Sequence, residues 1–270
     1  MCEYERFTGQ LIDGVGPVLL FFTIWPVLSH ERIKVVILEK PEQSCPCKKF
    51  CFDSLRLCFK IRHIMSQFFE IHPDNPQKRL IHQAVEIIHN GGIVVYPTDS
   101  SYAIGCHLGD KAAMEKIRRI RQVDDKHHFT LVCSDLSEIS TYAKVSNADY
   151  RLLKSLTPGP YTFLLKATGE VPRRLMHPKR RMIGIRVVGD PIVHALLAEL
   201  GQPIMSSTLI MPGNDTPETD ALEIRDRLEH EVDLIIDGGN CGYEATTVIN
   251  LVETPPQVMR KGKGTEHGLD

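Results

Sequence analysis

Hydroxyl side chains occur where several predicted strands begin or end, and groups of this kind can bind anions. In the segment YPTDSSYAIGC, Thr98 follows a short apolar strand that Pro97 stops, and a glycine turn is predicted after Ser101. Further hydroxyls belong to Thr162, after a Pro-Gly-Pro turn, to Ser206, Ser207 and Thr208, within a strand, and to Thr246 and Thr247, after a glycine-rich loop. Strand-end hydroxyls suit phosphate or carboxylate oxygens, although threonine also favours strands and serine favours turns.

Three arginines in the predicted helices and strands accompany these hydroxyls. Arg121 ends a predicted helix, Arg186 lies inside the apolar strand IGIRVV, and Arg260 lies in the terminal segment QVMRKG. An arginine within such a strand either faces solvent at a sheet edge or serves an anion in a cleft, because an unpaired buried charge is costly. The sequence leaves both interpretations open for Arg186.

Two denser basic groups predict a surface that could hold an RNA backbone. The first lies on the predicted helix that Arg121 ends and contains Lys116, Arg118 and Arg119, and the second lies in a predicted loop and contains Arg173, Arg174, Lys179, Arg180 and Arg181. Charge runs of this kind are also typical of solvated faces. The formal net charge of -2 argues against a surface that is basic throughout, so any such function must be local.

Several common sites are missing from the sequence. It contains neither of the two common nucleotide-binding loops, no G-x-S-x-G and no H-E-x-x-H. Cys45, Cys47, Cys51 and Cys58 lack the paired spacing of a zinc site, so no metal site is predicted. His127 and His128 are predicted to be solvated loop residues, and no residue is assigned a catalytic role.

Composition and pattern indicate a globular α/β chain. The 270 residues are 42% hydrophobic and 24% charged, and from residue 65 onward amphipathic helices alternate with short apolar strands. The apolar run at residues 18–28 is too short to span a bilayer, no secretory signal is evident, and a cytoplasmic setting is expected. Residues 1–64 are predicted to be a weakly structured extension, or an upstream reading frame joined to a protein that starts at Met65, and residues 265–270 a tail.

Five segments together resemble the YrdC-like domain family, and the resemblance is closest to its YciO branch. They are VVYPTDSSYAIGC, TPGPYTFLL, IGIRVV, PIMSST and DGGNCGYEATTVINL, within residues 65–264. The resemblance implies a three-layer α/β domain with a twisted mixed sheet and a concave basic cleft, associated with double-stranded RNA or tRNA. The best-known members are threonylcarbamoyl-adenylate synthases. These join L-threonine, bicarbonate and ATP, release diphosphate, and supply the threonylcarbamoyl group of threonylcarbamoyladenosine in tRNA.

Transferred to this sequence, the resemblance implies roles for five matching residues. Thr98 would contact the threonine substrate, Thr162 and Thr246 would contact ATP or substrate oxygens, and Arg186 and Arg260 would hold anionic groups. ATP with Mg would be a substrate, and no tightly bound cofactor is expected.

Two family patterns are changed in this chain. The synthases carry K-x-R-P-x-x-N where this chain has Arg121, Val123 and His127, and S-x-N where it has Thr208 and Ile210. Losing two hydrogen-bond donors at about 1.5–3 kcal/mol each would slow the reaction by about two to four orders of magnitude. We therefore expect a protein that binds double-stranded RNA or tRNA through a basic cleft without efficient chemistry. The alternative is a threonylcarbamoyl-adenylate synthase. A third hypothesis is a cleft that binds another nucleotide or a small acid.

Overall fold

The computed structural model describes residues 65–124, 127–172, 175 and 181–265, together with two short strands near the N-terminus. The chain divides into two compact units, Met1–Arg62 and His63–Asp270. In the first unit, Phe22–Thr23 (β1) pairs antiparallel with Val35–Val36 (β2). The rest of the predicted extension, the predicted tail after residue 265, and the loop residues Arg173, Arg174, Lys179 and Arg180 lie outside the described residues.

The second unit contains a mixed sheet of eleven strands among the described residues. The strands are Gln67–Glu70 (β3), Val94–Tyr96 (β4), Ala103–His107 (β5), Thr130–Val132 (β6), Ala143–Lys144 (β7), Tyr161–Ala167 (β8), Met182–Arg186 (β9), Ile204–Thr208 (β10), Leu234–Asp237 (β11), Thr247–Asn250 (β12) and Gln257–Arg260 (β13). Their order across the sheet is β13-β12-β8-β9-β6-β10-β5-β4-β11-β3, and β7 pairs with β8. Parallel and antiparallel pairs alternate irregularly, which confirms the predicted mixed sheet.

Six helices pack on this sheet in the described part of the chain. They are Lys78–His89 (α1), Lys111–Arg121 (α2), Leu136–Tyr142 (α3), Asn147–Leu156 (α4), Pro191–Leu200 (α5) and Ala221–Leu228 (α6). Aspartates begin four of them: the side chains of Asp110, Asp135, Asp190 and Asp220 accept N–H groups of the first turns of α2, α3, α5 and α6. Such caps satisfy donors that otherwise have no partner within a helix.

The apolar core lies on both faces of the sheet. Successive side chains of a strand point to opposite faces, so Ile93 and Val95 pack in one buried cluster, and Val94 and Tyr96 pack in the other. The first cluster contains buried residues of α2, α3, α4 and α6, and the second contains those of α1 and α5. Helices therefore cover both faces, which confirms a three-layer α/β architecture.

Two local predictions differ from the structure. The glycine turn predicted after Ser101 is wrong, because Gly105 lies within strand β5. A Cβ atom at this position would lie 2.7 Å from Ile204 Cγ2 and 2.9 Å from the Met205 carbonyl oxygen, so the glycine permits close strand approach instead of a turn. Asn75 and Pro76 are typical of a helix start, but helix α1 begins two residues after Pro76, at Lys78, and Asn75 does not cap it.

Within the described residues, none of the helices combines the length and the apolar character needed to cross a membrane.

Candidate functional site

A cleft of about 210 Å³ lies over the half of the sheet that β13, β12, β8, β9, β6 and β10 form, and we call it the sheet cleft. Its lining includes six of the seven residues predicted to bind substrate or nucleotide, namely Arg121, Thr162, Arg186, Thr208, Thr246 and Arg260. The remaining lining residues are His127, His128, Phe129, Thr130, Leu164, Gly184, Ser206, Ser207, Ile210, Ala245 and Val248. The structure thus brings together residues that lie up to 139 positions apart in the chain (260 minus 121).

The cleft floor consists of neighbouring residues on adjacent strands. Leu164, Gly184, Thr130 and Ser206 are successive partners across β8, β9, β6 and β10. A side chain at Gly184 would fill part of this floor, because its Cβ would lie 2.8 Å from Thr130 Cγ2. Helices α1 and α5 share a buried cluster with residues of β4, β5, β6, β10 and β11, and these four floor residues are not part of it. The site therefore lies over the sheet face as well as at strand ends.

Arg121 enters the cleft from the C-terminal end of helix α2. Its Nη1 lies 2.8 Å from His127 Nε2 and donates to Ser207 Oγ, and His127 Nε2 lies 2.9 Å from the same Oγ. A guanidinium can only donate, so His127 Nε2 accepts the Arg121 N–H and its ring carries its proton on Nδ1. Burial and the charge of Arg121 lower the His127 pKa to about 4, which keeps the ring neutral near neutral pH.

The prediction that His127 is a solvated loop residue is wrong. The residue is half-buried, it lines the cleft, and its ring packs edge-on against Phe129 at a centroid distance of 5.5 Å. His128 is exposed, as expected for the neighbouring position on an extended segment. One feature of the sequence could have predicted the cleft position of His127: it aligns with the asparagine of the family pattern. That pattern position lies in the cleft, whichever residue occupies it.

Arg186 enters the cleft from the end of strand β9 and forms a buried ion pair. Its Nη2 lies 2.6 Å from Asp99 Oδ1 and 3.1 Å from Ser100 Oγ, and the two charged side chains are only 6% and 15% exposed. Asp99 Oδ2 also accepts the Gly189 N–H at 3.0 Å. Arg186 therefore lines the cleft instead of facing solvent at a sheet edge, and a carboxylate of the chain already neutralises its charge. That it holds an anionic ligand stays a prediction.

Thr98 lies behind this pair and outside the cleft lining. It is buried, and its Oγ1 accepts the N–H groups of Ser100 and Ser101 and donates to the Ser101 carbonyl at 2.6 Å. Ser100 Oγ contacts both Thr98 Oγ1 and Arg186 Nη2, each at 3.1 Å. The role of Thr98 as a contact of threonine stays a prediction, and its observed bonds stabilise the turn that carries Asp99.

Arg260 enters from strand β13 and is held by neutral acceptors. Its Nη2 donates to the Thr246 carbonyl at 2.9 Å and to Thr246 Oγ1 at 3.2 Å, and Thr246 Oγ1 lies 2.8 Å from Thr162 Oγ1. Burial lowers the pKa of both Arg121 and Arg260, since a charged guanidinium loses solvation in the cleft. Among the described residues, neither arginine lies within 4.0 Å of a carboxylate oxygen.

The changed family positions fall in different places. Thr208 and Ile210 line the cleft, so the residue that replaces the family asparagine presents an apolar side chain to it. Val123 follows the left-handed residue Gln122 at the end of α2, and its N–H donates to the Arg118 carbonyl at 3.1 Å. Val123 is not part of the cleft lining.

The residues predicted to bind RNA do not form one described patch. Lys116 lies 3.8 Å from Asp233, and Arg118 pairs with Glu115 at 2.9 Å and lies over the Phe129 ring. Arg119 and Arg181 are exposed. The four other predicted residues lie outside the described part of the chain, so RNA contact stays a prediction for all eight.

Across the described residues, no group of three or more histidine, cysteine, aspartate or glutamate side chains is placed to hold a metal ion.

The fold and the cleft define a mixed α/β domain whose open sheet face presents arginines and hydroxyls. Comparison with known proteins agrees with this class: the family model Sua5_yciO_yrdC, described as telomere recombination, matches residues 86–262. The chain belongs to this Sua5/YciO/YrdC family.

Relatives from both branches of the family are similar to the chain. "Uncharacterized protein YciO" of Escherichia coli K12 is 60% identical over 200 residues, 74% of this chain and 97% of that protein. The crystal structure of E. coli YciO superposes with a TM-score of 0.73 at 59% identity, and the match covers 75% of this chain and 98% of that one. A "Threonylcarbamoyl-AMP synthase" of Nitrosococcus oceani is 31% identical over 57% of this chain and 83% of its own length.

A more distant solved structure supports the fold alone. Pyrococcus abyssi Sua5, crystallised in complex with L-threonine, has a TM-score of 0.68 at 24% identity, and the match covers 73% of this chain and 58% of that chain. Homology to threonylcarbamoyl-AMP synthases therefore rests on sequence similarity, and the three-layer architecture is common to both branches.

Proposed function

We propose that the sheet cleft binds an adenine nucleotide through its phosphate groups. The observation that carries this proposal is the pair Arg121 and Arg260, one partly buried and one more exposed cation, which line one cleft and are held by neutral groups instead of carboxylates. A partly buried cation such as Arg121 is costly without a counter-ion, and an oxyanion bound against it would remove that cost. The hydroxyls of Thr162, Ser207 and Thr246 supply further partners for phosphate oxygens.

The family relationship suggests the substrates that would accompany the nucleotide. The similarity to threonylcarbamoyl-AMP synthases supports ATP, L-threonine and bicarbonate as the set to test. Ile210 gives an apolar side chain to the cleft where the family pattern has an amide donor, so we infer that synthesis of threonylcarbamoyl-adenylate is slow. A donor to a charged phosphate contributes about 1.5–3 kcal/mol, or about 10- to 150-fold in rate.

Nucleotide binding is tested by calorimetric titration with MgATP. Arg121→Gln and Arg260→Gln should each weaken binding at least about tenfold, since each removes a charge-assisted donor. Arg119→Gln is the matched control, because Arg119 is exposed on the same helix as Arg121 and should leave the affinity unchanged. Equal affinity in the wild-type protein and both cleft variants would refute the proposed site.

The chemical step is tested by diphosphate release that requires both L-threonine and bicarbonate. The wild-type protein should release diphosphate slowly, and Ile210→Asn should increase the rate about 10-fold or more by restoring a donor in the cleft. Ile210→Val is the control for a change of side-chain volume without a donor. A rate in the Asn variant no higher than in the Val variant would argue against synthase chemistry in this cleft.

RNA binding is the second candidate function, and the exposure of Arg119 and Arg181 favours it. Arg119 lies on the helix that delivers Arg121 to the cleft, so an RNA backbone could contact this helix while the cleft stays open. Affinity for a tRNA or an RNA duplex should fall linearly with salt on logarithmic axes. Arg119→Ala should reduce the slope by about one, and Arg121→Gln should not. An affinity that does not depend on salt would exclude this function.

A further inference from the structure

His127 occupies the position in the cleft where a ligand would meet Arg121. Its Nε2 lies 2.8 Å from Arg121 Nη1 and 2.9 Å from Ser207 Oγ, and all three side chains line the same cleft. In the family pattern this position is an asparagine, whose side chain does not titrate. The histidine therefore adds to the cleft a group that can change charge when a ligand binds.

The His127 imidazole accepts a hydrogen bond from Arg121 that a ligand could otherwise accept. Arg121 Nη1 directs its hydrogens at His127 Nε2 and Ser207 Oγ, and Arg121 Nε is buried without a partner in the described residues. One N–H group of the guanidinium therefore lacks a hydrogen-bond partner, and the neutral imidazole accepts another N–H that an oxyanion would need. An anion placed against Arg121 competes directly with His127 Nε2 for the Nη1 hydrogens.

The charges of the chain around His127 are mostly positive. The groups that face it are Arg118 and Arg121 from helix α2, Asp124 and His128 from the adjoining loop, Ser207 from β10, and, across the cleft, Arg186 and Arg260 from β9 and β13. Asp99 neutralises Arg186, and Asp124 provides the one negative charge that acts directly on the ring among the described residues. Burial and this positive surrounding disfavour the imidazolium until a ligand brings negative charge.

We propose that His127 is an anion-binding residue of the sheet cleft, which releases Arg121 to the ligand and takes up a proton from solvent as the anion binds. The proton goes to Nε2, which then becomes a donor and can no longer accept from Arg121 Nη1. Two donors, Arg121 Nη1 and His127 Nε2, then face the same anion, and the Ser207 hydroxyl beside them is a third possible donor to it. The histidine thereby adds a second cationic donor to the cleft beside Arg121.

The ligand class is a small oxyanion such as a phosphate, a sulfate or a carboxylate, and this inference rests on the proposed nucleotide cleft. Its distinguishing consequence is linkage: anion affinity should rise as pH falls, by at most about tenfold per pH unit, because binding and protonation favour one another. An asparagine at this position would bind the same anion without proton uptake.

Inorganic sulfate is the probe, because its own charge is constant across the range of about pH 5 to pH 7.5 in which a histidine titrates. Calorimetric titrations of the full chain in two buffers of different ionisation enthalpy measure the protons taken up for each sulfate bound. We expect uptake by the wild-type protein that increases as pH falls below about 6.5. His127→Asn should bind sulfate with no uptake, and His194→Asn, which changes an exposed histidine of helix α5 outside the cleft lining, should behave like the wild-type protein.

The result is checked without a substitution by following the His127 ring with NMR. Its pKa should be higher with saturating sulfate than without it, and no other cleft histidine should show a comparable change. Sulfate binding without proton uptake, or uptake that persists in His127→Asn, overturns this inference and leaves the nucleotide cleft intact. Failure of both sulfate and MgATP to bind at any pH overturns both proposals.

Discussion

Arg186 and Arg121 line one cleft but are held in opposite ways. Arg186 has a carboxylate 2.6 Å away, and the two side chains are almost completely buried. Arg121 has a neutral imidazole and a serine hydroxyl as its partners. Arg260 resembles Arg121, since its partners are the carbonyl and the hydroxyl of Thr246. The cleft therefore contains one compensated cation and two uncompensated ones.

This difference in partners implies different roles: an arginine paired with a carboxylate of the chain supports stability, and one with neutral partners supports ligand binding. A buried cation with its own counter-ion gains little from a ligand, and removing the counter-ion destabilises the fold. A partly buried cation with neutral partners, such as Arg121, costs free energy until an external anion pairs with it, and the more exposed Arg260 has neutral partners of the same kind. We therefore assign Arg186 mainly to the architecture of the cleft and Arg121 and Arg260 to its ligand.

The largest expected effect follows from removing the carboxylate beside Arg186. Asp99→Asn keeps the side-chain shape but leaves a buried guanidinium without a negative partner, and loss of one member of a buried pair costs about 3–5 kcal/mol. Urea unfolding should show this loss as a lower transition midpoint with an unchanged slope. The double variant with Arg186→Met should recover much of the stability, because the unpaired charge is then gone.

The control for Asp99 is an exposed pair. Glu115→Gln removes the partner of Arg118 at a carboxylate that is 47% exposed, and such pairs contribute about 0–1 kcal/mol. If Asp99→Asn cost no more than Glu115→Gln, Arg186 would not depend on its carboxylate, and the contrast between the arginines would fail.

The next largest effect is the pH dependence of protein stability that His127, the neutral partner of Arg121, produces. The pKa of His127 is about 4 in the folded chain, whereas an unfolded chain has the ordinary value of about 6.5. As pH falls below about 6.5 the unfolded state binds the proton first, so the native state loses stability down to about pH 4. We expect His127 to contribute about 1–3 kcal/mol to acid destabilisation of the protein without anions.

This effect is measured as a difference between two stability curves. The free energy of unfolding of His127→Asn should fall less steeply between about pH 6.5 and pH 4 than that of the wild-type protein. Other titrating groups are common to both proteins and cancel. His194→Asn, at an exposed histidine outside the cleft lining, should follow the wild-type curve. Parallel curves for His127→Asn and the wild-type protein would show that the ring is not held neutral.

Most of the framework was predictable from local signals. Helix α4 begins at the capping box that Ser146 and Asp149 form, and α5 begins after its cap Asp190 and ends at Gly201 in the left-handed region. These residue types are start and stop signals that the sequence itself carries. Strand β5 was missed because its Gly105 has the local signature of a turn. The reason for that glycine is contact with β10, which lies about 100 residues further along the chain.

The sequence predicted which residues form the candidate site, but it did not predict which of them contact one another. Composition and spacing indicated which hydroxyls and arginines could meet, and six of the seven line one cleft. The sequence could not indicate that Asp99 neutralises Arg186 while His127 holds Arg121, because these pairs are fixed by strand register and helix position. Thr98 matches the family motif, yet its hydroxyl is used by its own turn.

The smallest expected effect tests how Arg260 is held. Thr246→Val removes one acceptor at 3.2 Å and the bond to Thr162 Oγ1 but keeps the backbone carbonyl that accepts from Arg260 at 2.9 Å. Stability should fall by about 1 kcal/mol, and MgATP affinity should change less than in Arg260→Gln, because the charge stays in place. A double-mutant cycle with Thr162→Val should give a coupling of about 0.5–1.5 kcal/mol, since the two hydroxyls share one bond.

Thr247→Val is the matched control, since Thr247 is adjacent and fully buried, and its hydroxyl bonds to the Gly264 carbonyl and the Gly262 N–H. It should affect stability and leave MgATP affinity unchanged, because Thr247 does not line the cleft. If Thr246→Val weakened MgATP binding as much as Arg260→Gln, the hydroxyl itself would be the main ligand contact. Arg260 would then resemble Arg186, as an arginine that shapes the cleft more than it binds the anion.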